Sequence, residues 1–199
     1  MNKKNLIIAL VVIVVVLVGL WQWSRQDAPS YPEVNSPRPF LGLADSKVVV
    51  EEFSDFQCPA CKAAQPIVKD LIETLGGRIK FSYRHFPLLT IHTQAFRAAL
   101  ASECANDQGK FWEYHDILFE KQPAFSPEDL KAYAGQLGLK TDDFAACLDS
   151  RAKNKVVREE MKEGDKRNVN GTPTFFLNGE KVEDWSKLKE LIQAKLVGG

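Results

Sequence analysis

The sequence predicts an α/β domain interrupted by an all-helical insertion and preceded by one N-terminal transmembrane helix. Three observations carry that reading: an unbroken apolar run near the N-terminus, a strand–helix–strand pattern over residues 48–84, and an 81-residue stretch, 88–168, without a convincing strand. The chain has 199 residues, 45% of them apolar, which allows a single domain with a sizeable core. Its 26 basic side chains balance 26 acidic ones. No excess of cations is available to displace counterions from a phosphate backbone, which argues against a nucleic-acid partner. Four cysteines are too few for a disulfide-stapled miniature scaffold, and the absence of a fixed repeat excludes a solenoid.

Leu6 to Trp21 is an uninterrupted apolar run, extended past Gln22 by Trp23. At about 1.5 Å per residue, Leu6 to Trp23 covers about 27 Å, close to the hydrocarbon thickness of a bilayer. The run ends in Trp21-Gln22-Trp23 rather than in the small residues of a signal-peptidase site, so residues 1–23 read as an uncleaved anchor, with a cleaved signal as the alternative. Lys3 and Lys4 precede the run and only Arg25 follows closely, which keeps the N-terminus cytoplasmic and places the remainder outside, periplasmic or extracellular. Residues 24–45 hold Pro29, Pro32, Pro37 and Pro39 and read as an extended tether, with the folded domain, 46–199, beginning near Ser46.

Val48-Val49-Val50 followed by Glu51-Glu52-Phe53 reads as a buried strand, and Pro59 to Leu75 as a helix that stops at Gly76-Gly77. Ile79, Phe81 and Tyr83 alternate with polar residues as a second strand, which makes a βαβ unit with a parallel pair. Five helices follow, roughly Thr93–Asn106, Lys110–Lys121, Pro127–Leu137, Thr141–Leu148 and Ala152–Arg167; Ser126-Pro127-Glu128-Asp129 supplies a cap, a first-turn proline and an N3 acid. A crossover needs only a dozen or so residues, so these helices form an inserted subdomain. Thr174 to Leu177 is β-rich, Asn178-Gly179 signals a hairpin into Lys181-Val182, and a last helix, opened by Asp184 or Ser186, runs through Leu196.

The chemistry points to Cys58-Pro59-Ala60-Cys61 at the strand-to-helix junction. A helix N-terminus presents unpaired N–H groups and a positive dipole end, which favours thiolate at Cys58. The two-residue spacing brings Cys61 within reach, so the pair can close reversibly. Zinc would need a second ligand pair, and His85, His92 and His115 have no ligand-like spacing; no metal or other cofactor is expected.

This C-x-x-C, Pro66 within the following helix, Gly171-Thr172-Pro173-Thr174-Phe175 before a hairpin, and an insertion containing Gln108-Gly109-Lys110-Phe111-Trp112 together resemble the DsbA-like thiol:disulfide oxidoreductases in membrane-anchored form. The resemblance covers about residues 46–197 and implies a thioredoxin fold, in which Thr172-Pro173 carries a cis bond facing the cysteines and leaves the Thr172 backbone free for substrate. It implies that Glu52, six residues before Cys58, is the buried acid that relays protons to and from Cys61. Glu51 points to the opposite face and reads as solvated. Family members that are strong oxidants often carry His where this chain has Ala60, which weakens any claim to extreme oxidising power.

Cys104 shares a helix face with Phe96 and Leu100, and Cys147 lies three residues after Phe144. Both point inward, and outside the cytoplasm the pair reads as a structural disulfide, with two separate thiols as the alternative. The implied activity is a disulfide oxidase acting on exported proteins with free cysteines, Cys58 forming the mixed disulfide and Cys61 acting as its resolving partner. The implied partner is a quinone-linked membrane reoxidant of the DsbB or VKOR type. A membrane-fed reductase or isomerase would use the same residues, and a tethered binding module would use none of them.

Overall fold

A computed structural model of the protein describes residue 2, residues 12–19 and residues 36–198. Residues 12–19 are helical and exposed, and among the described residues no helix is long and apolar enough to cross a membrane. The remainder of the expected anchor, and the tether up to residue 35, lie outside the described residues.

The domain is built on a five-stranded mixed sheet of order β1-β3-β2-β4-β5. These strands are β1 (Phe40–Gly42), β2 (Val49–Ser54), β3 (Lys80–His85), β4 (Thr174–Leu177) and β5 (Glu180–Val182). β2 and β3 are parallel, joined by α1 (Pro59–Leu75), and the other three pairings are antiparallel. α1 buries Cys61, Ala64, Val68, Leu71 and Leu75, a stripe at helical spacing that lies on the sheet. That stripe packs with Val50, Phe81, Phe175, Leu177 and with Leu188 and Ile192 of α7 (Leu188–Val197). Asn178 and Gly179 both have positive φ, 51° and 84°, which a two-residue hairpin turn requires.

Between β3 and β4 stand α2 (Ala95–Asn106), α3 (Phe111–Lys121), α4 (Pro127–Gln136), α5 (Thr141–Asp149) and α6 (Asn154–Lys166), close to the expected bounds. The capping box at α4 is complete, Ser126 Oγ accepting from Asp129 N at 3.1 Å. Cys104 of α2 and Cys147 of α5 are joined in a disulfide within the insertion's own core. On the sheet face away from α1, α6 approaches so closely that a Cβ on Gly164 would lie 2.6 Å from the Phe86 ring.

The domain begins earlier than Ser46. β1 pairs with β3, and Gly42, at φ 89°, packs where a Cβ would collide with the Ile79 carbonyl. Arg38 binds Glu103 of α2 at 3.0 Å and also Glu160 of α6; Arg84 of β3 joins Glu160 and Glu51, each at 3.2 Å. Arg167 reaches Glu51 at 2.9 Å, so Glu51 is a member of an ion-pair network rather than a solvated side chain. Most of these carboxylates are buried, where the loss of either partner would strand a charge.

Cross-linking residues 43 positions apart removes loop entropy worth about 4 kcal/mol from the unfolded chain. A Cys104→Ala/Cys147→Ala protein should therefore unfold at lower denaturant, by about 2–5 kcal/mol. Equilibrium unfolding with the Cys58–Cys61 pair held in one redox state measures this, and an unchanged midpoint would contradict it.

Candidate active site

Cys58 is the N-cap of α1 and Pro59 its first residue, where a missing N–H leaves nothing unpaired. The preceding turn is fixed from three sides. Asp55 Oδ1 accepts from Gln57 N at 2.7 Å, while Asp55 Oδ2 accepts from Leu88 N at 2.8 Å and lies 2.8 Å from His92 Nδ1. Gln122, at the end of α3, donates to the carbonyls of Phe56 and Cys58 at 2.6 and 3.1 Å. The insertion thus grips the loop that presents the cysteines.

The bond between Thr172 and Pro173 is cis, and the Cys58 thiol donates to the Thr172 carbonyl at 3.3 Å. A C-x-x-C at the tip of a helix leads one to expect an accessible outer thiol, and this contact corrects that expectation. Cys58 is not an open, accessible thiol: only 7% of it is exposed, because the Thr172–Pro173 loop lies over it, while Cys61 is fully buried. The two are free thiols here.

Their electrostatics differ. The Cys61 thiol is the main influence holding Cys58 down to about 5; burial works against it, and the Thr172 side chain and the N–H groups of Cys61 and Ala60 assist. Cys61 is pushed far up, first by burial, then by the Cys58 sulfur and by the Glu52 charge. Glu52 is fully buried below them, and burial chiefly raises it to about 7; the nearby Ser54 tempers the rise and the Cys58 charge adds to it. Neither Glu52 oxygen has a hydrogen-bond partner among the described residues. A stabilised outer thiolate, a protonated inner thiol and a carboxyl poised near neutrality can together exchange disulfides and move one proton.

The structure brings Cys58, Cys61, Thr172, Pro173 and Glu52 together, and leaves Cys104 and Cys147 apart as a cross-link. Reading the sequence missed Asp55 and Gln122, and Tyr83, which stands opposite Glu52 in the β2–β3 register. An Asp two residues before a backbone turn was a readable signal; Gln122 acts across 64 positions and left none.

A family model described as thioredoxin matches residues 35–194. Among curated proteins, the chain is 39% identical over 153 residues to the Na(+)/H(+) antiporter NhaA 1 of Salinispora arenicola, covering 77% of this chain and 22% of that protein. The chain spans about a quarter of the length of the curated relatives it matches. Among solved structures, BdbD from Bacillus subtilis, in oxidised form, is 31% identical with a TM-score of 0.70, covering 86% of this chain and 97% of that one. The thiol-disulfide exchange protein alpha-DsbA2 from Wolbachia pipientis shares the fold at 22% identity and a TM-score of 0.69, covering 79% and 87%. The chain belongs to the thioredoxin family.

Two outcomes follow from these charges. Between about pH 5 and 7, an alkylator added to the reduced protein should modify Cys58 first; earlier modification of Cys61, mapped by mass spectrometry, would refute the asymmetry. Glu52 has a raised folded-state value, so its penalty is absent below the ordinary carboxylate range, grows as pH rises, and is complete above about 7. Glu52→Gln should stabilise the reduced protein by about 3 kcal/mol at pH 8 and by little at pH 4, since one pKa unit is worth about 1.4 kcal/mol. An equal effect at both pH values, in denaturant titrations, would contradict this.

Proposed function

We propose that the protein is an extracytoplasmic disulfide oxidase, held at the membrane by residues 1–23 and introducing disulfides into exported proteins through Cys58 and Cys61. The observation that carries this reading is the asymmetry of the pair: a Cys58 sulfur favoured as thiolate beside a Cys61 thiol that resists ionisation. A stabilised leaving thiolate makes a disulfide more oxidising. The membrane position is supported by the apolar run from Leu6 to Trp21.

A substrate thiolate attacks Cys58 Sγ and the Cys58–Cys61 bond breaks. Its electron pair goes to Cys61, which takes a proton from Glu52. The mixed disulfide is presented beside Thr172, whose carbonyl can accept from an extended substrate backbone. A second substrate thiolate then displaces Cys58, which leaves as thiolate; substrate is oxidised by two electrons and the pair is reduced. Attack by Cys61 on the mixed disulfide is the return step, releasing substrate unchanged. A quinone-linked membrane protein of the DsbB or VKOR type would restore the disulfide.

Ala60 supplies neither imidazole nor donor, and it is the one feature favouring the reverse direction, a reductase or isomerase on the same residues. The resting state of Cys58–Cys61 in cells, trapped with a thiol alkylator, decides between them: oxidised for an oxidase, reduced for the alternative. A Cys58→Ala protein that kept its activity would instead leave a binding module. Ala60→His should lower the Cys58 pKa and raise the reduction potential together, by about 30 mV per pKa unit. Equilibration against glutathione and thiolate absorbance measure the two; a lowered pKa with an unmoved potential would mean that thiolate stability does not set the direction.

A further inference from the structure

The buried side-chain polar atoms without a hydrogen-bond partner among the described residues are both oxygens of Glu52, Ser54 Oγ, Tyr83 OH, His85 Nδ1, His115 Nε2, Thr172 Oγ1 and Arg38 Nε. Glu52, Ser54, Tyr83 and Thr172 adjoin the thiol pair, and the His85 and His115 rings stand against Tyr83, with centroids 5.3 and 5.0 Å away. The register explains the gathering: Glu52 stands opposite Tyr83 and Ser54 opposite His85, so four polar side chains share the sheet face that α1 covers. Interiors rarely leave such groups unpaired, and where several converge, bound water satisfies them.

One of these groups leads outward. His115 of α3 stands edge-on to Tyr83, ring centroids 5.0 Å apart, with the ring itself buried. Its Nδ1 lies 2.8 Å from Asp116 Oδ1, so Nδ1 carries the hydrogen and Nε2 is left as an acceptor. The Asp116 side chain is 81% exposed, and both residues line a cleft of about 650 Å³ between α1 and α3. The other histidine offers no such outlet, because His85 Nε2 ends on Glu103, buried and paired with Arg38.

We propose that His115 and Asp116 are the proton outlet of the redox pair, joining Glu52 to solvent through internal water beside Tyr83. The inference rests on the thiol-exchange reading above and gives it a route for its proton. When the Cys58–Cys61 bond breaks, Cys61 takes the electron pair and the Glu52 proton. Among the described residues no lysine or arginine on that sheet face holds the resulting carboxylate, so one proton must return. The tautomer with hydrogen on Nδ1 is that of the reduced pair. On reoxidation Nε2 takes the Glu52 proton while Nδ1 passes its own by way of Asp116 to the cleft, leaving the hydrogen on Nε2. On reduction the same transfers run backward, Nε2 giving its proton inward as Nδ1 regains one from the cleft. Burial keeps the His115 ring neutral at rest, opposed by Asp116, which suits a group that carries a proton only in passing. The ionisable groups facing the route are Cys58 and Cys61 of α1, Glu52 of β2, and Tyr83 and His85 of β3. At its outer end the cleft adds Lys62, Lys69, Glu73 and Glu120.

Stopped-flow reduction of the oxidised full chain by a dithiol peptide tests this. His115→Gln and Asp116→Asn should each slow the step by about tenfold or more and shift its pH profile, with the equilibrium potential unchanged. Imidazole should restore the rate of His115→Ala. Asp116→Asn alters only an exposed side chain and so guards against a folding defect. Rates unchanged in both variants while Glu52→Gln is slow would overturn the outlet and leave thiol exchange standing. Slower rates with an unshifted pH profile and no imidazole rescue would reduce His115 to a packing residue, which also overturns it. A wild-type protein that exchanges nothing through Cys58 would remove the underlying reading itself.

Discussion

The antiparallel register of β2 with β4 is the constraint on which the site depends. Phe53 stands opposite Thr174 and Glu52 opposite Phe175, so the residues just before β4 arrive over the end of β2. That pairing is what brings the Thr172 carbonyl to the Cys58 sulfur across 114 positions of chain. A slip of one residue would turn Phe175 from the α1 face toward α6 and carry the Thr172 carbonyl away from the thiol. The register is held by burial on both faces: Phe175 packs with the α1 stripe, while Phe53 and Phe176 meet at 5.6 Å on the other side. The β2–β3 pairing acts in the same way below, placing Glu52 and Tyr83 under the helix tip.

The insertion adds a second layer of control. Gln122 and the Asp55–His92 contact tie the cysteine loop to the helical elements, and the Arg38–Glu103–Glu160–Arg84 network ties those elements to the sheet. The cysteines therefore sit where two cores meet, Cys61 belonging to the α1 stripe and also to the aromatic core around Phe56 and Tyr83. Burial of Cys61 and Glu52 follows from that position, and their resistance to ionisation follows from burial.

What could be read from the sequence was local. The C-x-x-C ahead of a helical stripe, the Ser126–Asp129 cap and the Asn178-Gly179 turn each depend on residues within a few positions of one another. β1 was invisible for the opposite reason. Its three residues lie beside Pro37 and Pro39, which suggest a tether, and only β3 makes them a strand. Glu51 misled because strand alternation gives a side chain's face and not what waits there; Arg84 and Arg167 do. The cover over Cys58 comes from a loop far along the chain, so its exposure could not be judged from the motif. His115 carried no spacing signal, since its neighbours Tyr83 and Phe56 come from other elements.

The way the chain enters the fold has a mechanical consequence. Ser36 binds Asp107 and Arg38 binds Glu103 and Glu160, so the entering segment is fastened to α2 and α6 before it reaches the sheet. A pull or a twist applied ahead of Ser36 is taken up as shear on these side-chain clamps. The short β1 lies behind them at the sheet's edge, two strands removed from β4. The lever arm of any tether thus ends first on the helical scaffold, ahead of the strands that aim the two sulfurs.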